Sequence, residues 1–116
     1  MPVRHDSGVL LHGTLGILIL KELVLGPAHG YAISRYIEDT AGDVLTIEEG
    51  SLYPALRRLQ DRGWVTSEWG ASENNRRARF YRISTAGRKH LRDEGAAWLR
   101  YATAVTRVLR AEPAIT

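Results

Sequence analysis

Apolar stripes at helical spacing in three early segments, two alternating segments joined by an arginine-bearing tip, and a long last segment with a seven-residue apolar repeat predict a mainly α chain. In this order they describe a winged helix-turn-helix: three helices plus a two-stranded β wing, followed by a long C-terminal helix. The 116 residues, 44% hydrophobic and 25% charged, favour one compact unit. Within it, residues 1–84 form the head with an N-terminal arm, and residues 85–116 form the C-terminal helix.

Each element has a local reason. Met1 to Val9 is expected to be a loose arm. Thr14 to Leu25 is apolar on most sides, which predicts a central first helix, and Gly26-Pro27 should end it. A second helix starts at His29-Gly30 and runs to about Ala41, with Ile33, Tyr36 and Ile37 on one face, and Gly42 stops it. Thr46 with Glu49 three residues on forms a capping box for the third helix. Leu52, Leu56 and Leu59 make its buried stripe. Gly50, Pro54, Arg57, Arg58 and Asp61 fall opposite. Pro54 needs explaining, because proline lacks an N–H and clashes with the carbonyl four residues back. Either Gly50 yields there, or the regular helix begins near Ser51 and Pro54 lies in its first turn.

Trp64 to Trp69 and Ala78 to Ile83 are the wing strands, joined by a loop with Gly70, Ser72, Asn74 and Asn75. Ser84 or Thr85 caps the last helix, which reaches about Ala111 before Pro113. Leu91, Trp98 and Val105 recur every seven residues, with Gly95, Ala102 and Leu109 beside them. Such a seam is the pattern of a helix packing along a partner helix.

Composition excludes several functions. The chain has no cysteine, so disulfides, thiolate chemistry and Cys-type zinc sites are ruled out. That fits a reducing compartment. The apolar run from Leu15 is broken by Lys21 and Glu22 and is too short for a bilayer, and no secretion signal is read. His5, His12, His29 and His90 are scattered, which argues against a metal. No nucleophile elbow, phosphate-binding glycine loop or paired-carboxylate motif is present, so neither catalytic residues nor a cofactor are expected. The formal net charge of +3 is mild and gains meaning from the clustering of arginines.

An amphipathic helix followed by a hairpin with a cationic tip suits double-stranded DNA. The helix enters the major groove, and the hairpin reaches phosphate or the minor groove. Arg57 and Arg58 are placed to meet phosphate or a guanine edge, or simply form a solvated face. Ser51 either bonds the nucleic acid or caps the helix. Arg76, Arg77 and Arg79 on the wing suit a narrow minor groove, with solubility as the plainer alternative. Arg82 points either into the domain or towards the DNA backbone. A winged helix can also act as a protein-docking adaptor without binding DNA.

The sequence closely resembles the PadR family of bacterial transcriptional regulators. The resemblance rests on Leu18-Ile19-Leu20 with Gly26-Pro27-Ala28-His29-Gly30-Tyr31, on Gly50-Ser51-Leu52-Tyr53-Pro54-Ala55-Leu56-Arg57-Arg58-Leu59, on Gly63-Trp64-Val65, and on Phe80-Tyr81-Arg82-Ile83-Ser84 with Gly87. It covers about Thr14 to Leu91, and the single short C-terminal helix matches the family's smaller subclass. The resemblance implies a homodimeric repressor acting in the cytoplasm on an imperfect palindromic operator and relieved by a small molecule. It also favours a phosphate contact for the Tyr53 hydroxyl over mere packing. The expected DNA-binding set is Ser51, Tyr53, Pro54, Arg57, Arg58, Arg76, Arg77 and Arg79. Leu91, Trp98, Ala102 and Val105 are the expected dimer or ligand-pocket set. Trp98 is read either as a dimer-core aromatic or as one of two rings lining a flat pocket for a small aromatic ligand.

Overall fold

The computed structural model of the protein describes residues 13–114. The expected arm over Met1 to Val9, and with it His5 and His12, lies outside them. The elements run α1 (Leu15–Leu23), β1 (Ala28–His29), α2 (Gly30–Thr40), α3 (Glu49–Asp61), β2 (Val65–Ala71), β3 (Arg77–Ile83) and α4 (Thr85–Arg110). The expected winged helix-turn-helix is present, with one strand more than expected. Ala28 and His29 pair antiparallel with Tyr81 and Phe80, giving a three-stranded sheet in the order β1-β3-β2. Two residues are too few to show an alternating pattern, so β1 leaves no trace in the sequence.

Helix α1 is central, packing against α2, α3, α4 and β3. Its Leu15, Ile19, Leu20 and Leu23 are buried with Ile33, Ile37, Leu52, Leu56, Leu59, Val65 and Ile83. Each such aliphatic contributes on the order of 2 kcal/mol by leaving water. The helix stops short of Leu25. The amides of Leu25 and Gly26 bond three residues back, to Glu22 and Leu23, which tightens the last turn, and Gly26 then takes φ 138°. His29 caps α2, its Nδ1 accepting from the Ala32 amide at 3.3 Å.

The start of α3 corrects the expected capping box. The N-cap is Glu48, with no side-chain cap bond, so Glu49 is the first helical residue and Thr46 lies outside the helix. A bond from the Ile47 amide to Glu38 Oε2 at 2.8 Å pins the chain at the preceding residue, and Ile47 is buried. That anchor, rather than a threonine cap, decides where α3 begins. Pro54 therefore sits inside the helix and not in its first turn. It can offer no amide to the Gly50 carbonyl, which is left to solvent on the exposed side.

After α3 the chain turns at Gly63, φ 77°, and enters β2. Strands β2 and β3 pair from Val65↔Ile83 to Ala71↔Arg77, and Asn75, φ 59°, closes the tip with the Ser72 amide bonded to the Arg76 carbonyl. Ser84 caps α4: its Oγ accepts from the Gly87 amide at 3.0 Å and donates to the Gly63 carbonyl at 2.6 Å. Gly87 is buried against the Trp64 carbonyl, and the Trp64 ring stacks on His90 with centroids 3.5 Å apart. Beyond this joint α4 leaves the head, and the molecule measures 66 Å in its longest dimension.

Two predictions follow from this packing. A Cβ at Gly87 would meet the Trp64 carbonyl and lie 2.9 Å from Ile83, so Gly87→Ala must move backbone. Chemical denaturation should show a loss of about 1–3 kcal/mol. The second concerns Glu22, which is 7% exposed with Oε1 unpartnered among the described residues. Burial raises its pKa, so folding favours the protonated form and stability falls as pH rises from the ordinary glutamate range through the raised value. In thermal melts Glu22→Gln should gain on the native chain as pH increases, with a larger difference at pH 8 than at pH 4.

Candidate nucleic-acid interface

Helix α3 turns Leu52, Ala55, Leu56 and Leu59 inward. Helical spacing then places Gly50, Pro54, Arg57 and Asp61 squarely outward, and all four are exposed. Tyr53 and Gln60 flank them on the wing side. Ser51 and Arg58, seven residues apart, share the other flank. The two arginines therefore part company: Arg57 points straight out, while Arg58 borders a cavity with Arg62, Trp64, His90, Glu94 and Trp98 near α4. Among the described residues Arg57 makes a solvated contact to Asp61, Nε to Oδ1 3.8 Å, which competes weakly with any ligand. At 13 residues α3 is about 20 Å long, a rod that the major groove admits.

Tyr53 leans towards α2. Its ring end lies over Gly30, where a Cβ would come within 2.5 Å of the hydroxyl. The missing Gly30 side chain is thus what allows the tyrosine to lie there, half exposed, at the mouth of a groove between α3 and the wing. That groove, about 600 Å³, is lined by Tyr31, Tyr53, Trp69, Arg76, Arg77 and Arg79 among others. Tyr81 forms its buried floor, and burial raises its pKa, so its hydroxyl stays protonated.

The wing arginines differ from one another. Arg76 is in the turn and exposed. Arg77 opens β3, its guanidinium 4.4 Å from the centroid of the Trp69 ring. Arg79 lies 5.3 Å from the same ring and donates from Nε to Ser67 Oγ at 3.0 Å. Ser67 Oγ in turn donates to Gln60 Oε1 on α3 at 3.2 Å. Arg82 pairs with Thr66 on the opposite, outward face of the hairpin and is exposed, which settles its direction away from the core. Trp69, Ser67 and Gln60 were not among the expected site residues. Same-face alternation along the two strands would have revealed Trp69 beside the arginines, but only once the strand register was known.

The second expected set lies on α4. Leu91 is half-buried against the core, and with Ile17, Leu18, Val24, Trp98 and Leu99 it lines an apolar groove of about 720 Å³. Trp98 is 44% exposed and borders both this groove and the Arg58 cavity. Ala102 and Val105 continue its stripe, and Leu109 at its far end is 78% exposed. Among the described residues no group of three His, Asp or Glu side chains is arranged to hold a metal, and no helix is long and apolar enough to cross a membrane.

Comparison with known proteins agrees with this geometry. The sequence model of the PadR-like family of transcriptional regulators matches residues 19–93. A PadR family transcriptional regulator from Eggerthella lenta superposes with a TM-score of 0.74 at 34% identity, over 92% of this chain and 93% of that one. The negative transcriptional regulator PadR of Bacillus subtilis is 27% identical over 85 residues, 73% of this chain and 44% of that protein. The structure of Bacillus subtilis PadR in complex with operator DNA shares the fold, with a TM-score of 0.62 at 24% identity, over 88% of this chain and 50% of that one.

The contact between Gly30 and Tyr53 gives a third prediction. In Gly30→Ala the new methyl displaces only the end of a half-exposed side chain, so the melting temperature should fall far less than in Gly87→Ala. The Tyr53 ring should leave the groove, and DNA affinity should drop about as much as in Tyr53→Ala, measured by fluorescence anisotropy.

Proposed function

The chain belongs to the PadR-like family of transcriptional regulators, and on that premise we propose that it is a homodimeric repressor, acting in the cytoplasm, that reads an imperfect palindrome in double-stranded DNA. It is a regulator and not an enzyme. The observation that carries the reading is the shared face of α3 and the wing, where Tyr53 stands with Arg76, Arg77 and Arg79 around one groove and Arg57 is exposed one turn further along the same helix. The likeness to a negative regulator from Bacillus subtilis, and to a fold found on operator DNA, supports it.

In this reading α3 of each protomer lies in successive major grooves, with half-sites on the order of 10 base pairs apart. Arg57 and Pro54 face the base edges. Ser51, Tyr53 and Arg58 meet flanking phosphates and fix the register. The wing, with Arg76, Arg77 and Arg79 at or near its tip, reaches the adjacent minor groove or its backbone. The head, residues 1–84, reads DNA, and residues 85–116 join the two copies through Leu91, Trp98, Ala102 and Val105. The exposed apolar stripe of α4 supports the pairing, since a solvated row of this kind gains by being covered. A small aromatic ligand at Trp98 relieves repression by binding better to a spacing of the heads that does not fit the operator.

The test is binding to the DNA upstream of the chain's own gene. Arg57→Ala should lower affinity on the order of tenfold or more, the scale of one lost bidentate base contact, with the melting temperature unchanged. Arg58→Ala should cost less and reduce the log–log salt slope by about 1. Absence of salt-dependent DNA binding by the native chain would turn the reading to a protein-docking adaptor.

A further inference from the structure

Five side chains join the reading helix to the wing tip in an unbroken run. Gln60 on α3 accepts from Ser67, Ser67 accepts from Arg79, and Arg79 and Arg77 both lie over Trp69. All four wing residues share one face of the hairpin, because Trp69 pairs directly with Arg79 and stands diagonal to Arg77. Trp69 is 54% exposed and lies outside the hydrophobic core cluster, so folding does not explain a tryptophan at this position. From this arrangement, and resting on the operator-reading proposal above, we infer that Trp69 is the positioning residue of the wing: it sets Arg77 as the arginine that meets DNA, while Arg79 acts as a brace.

The division of labour follows from what each guanidinium has left to offer. Arg79 spends its Nε on Ser67 and is half-buried. Arg77 is exposed, and its guanidinium carbon lies over the Trp69 ring, 4.4 Å from the ring centre. Stacking consumes the face of a guanidinium and leaves its edge, with the N–H fork, directed outwards for phosphate or a base edge. It also removes rotamer freedom that a lone arginine would lose on binding. Because the run ends on Gln60, the wing arginine is held at a fixed distance from the outward face of α3. The ladder thus couples two contacts that lie in different grooves of the duplex. Arg76, in the turn, is outside the ladder and adds an unplaced charge.

The experiment is a double-mutant cycle on the full chain, read as operator affinity and as the slope of log affinity against log salt. Trp69→Ala should weaken binding about fivefold and leave the slope unchanged, because every cationic group remains to displace counterions. Arg77→Ala should weaken binding at least as much and reduce the slope by about 0.9. The double variant should bind no worse than Arg77→Ala, since without the arginine there is nothing to position. Trp69→Phe, which keeps an aromatic face, should recover most of the loss. Trp69→Leu serves in the same cycle should the alanine variant melt early. Losses that multiply in the double variant, or full affinity in Trp69→Ala, overturn the positioning role while leaving operator reading intact. A native chain that binds no DNA removes both.

Discussion

The joint between the head and α4 is the contact on which the rest of the structure depends. At Gly87 the helix comes so close to the Trp64 carbonyl that no side chain fits between them. Ser84 closes the same corner from the other side, bonded at once to the Gly63 carbonyl behind it and the Gly87 amide ahead. The Trp64–His90 stack extends the contact by a further turn of α4. Since Gly63 lies two residues past the end of α3, the direction of α3 and the direction of the long helix are settled within a few residues of each other. In the proposed dimer, where α4 meets its copy, this corner converts a helix–helix contact into the separation of two reading heads. A flexible linker there would leave the half-site spacing undefined, and a palindrome could not be told from its spaced variants.

Charge works differently. The surplus of +3 is small, and the proposed DNA face is not uniformly basic. Glu48, Glu49 and Asp61 belong to α3 or its cap, and Glu73 sits 3.7 Å from His29 at the groove's rim. Such a face binds phosphate weakly unless its few arginines are correctly placed, because each misplaced duplex brings an acidic group towards the backbone. The carboxylates at the start of α3 also suit the positive end of the helix dipole, so they cost the fold nothing. Selectivity then depends more on geometry than on total charge. This is why the holding of each arginine matters: Arg57 in a loose contact with Asp61, Arg79 bonded to Ser67, Arg77 over the Trp69 ring.

Much of this was legible in the sequence, for reasons that differ by element. Gly26 and Gly42 take positive φ where the first two helices were expected to end, and no other residue does so at so little cost. The leucine stripe of α3 and the cap at Ser84 follow from spacing and residue type alone. What failed depended on distant partners. The Thr46 box has the right residues, but Glu38 reaches across from α2 to pin Ile47, and the helix starts later. Strand β1 exists because β3 lies beside it, not because Ala28-His29 favours extension. Arg57 and Arg58 look alike in the sequence, yet one residue is 100° of helix rotation, enough to put one outward and the other beside α4. The expected site residues on the wing were found together, but Trp69 stood apart from them until the register between β2 and β3 was fixed.

The two devices meet at one place. The ladder to the wing leaves α3 at Gln60, and the corner to α4 begins at Gly63, with Arg62 between them lying 5.2 Å from the Trp64 ring. The cavity bordered by Arg58, Arg62, Trp64, His90 and Trp98 opens on that junction. Helix α4 also packs on α1, so a change in how it sits has two routes into the head, and one of them is this junction at the C-terminal end of α3. From there it can tilt the reading helix and, through Ser67, the wing. The first turn of α3 is insulated by the Glu38–Ile47 anchor, which ties it to α2 instead. Of the two ends of α3, the one that carries Gln60 should therefore be the one that couples the proposed dimer-helix ligand to DNA, since the Gln60–Ser67 bond and the Gly63 corner both lie there.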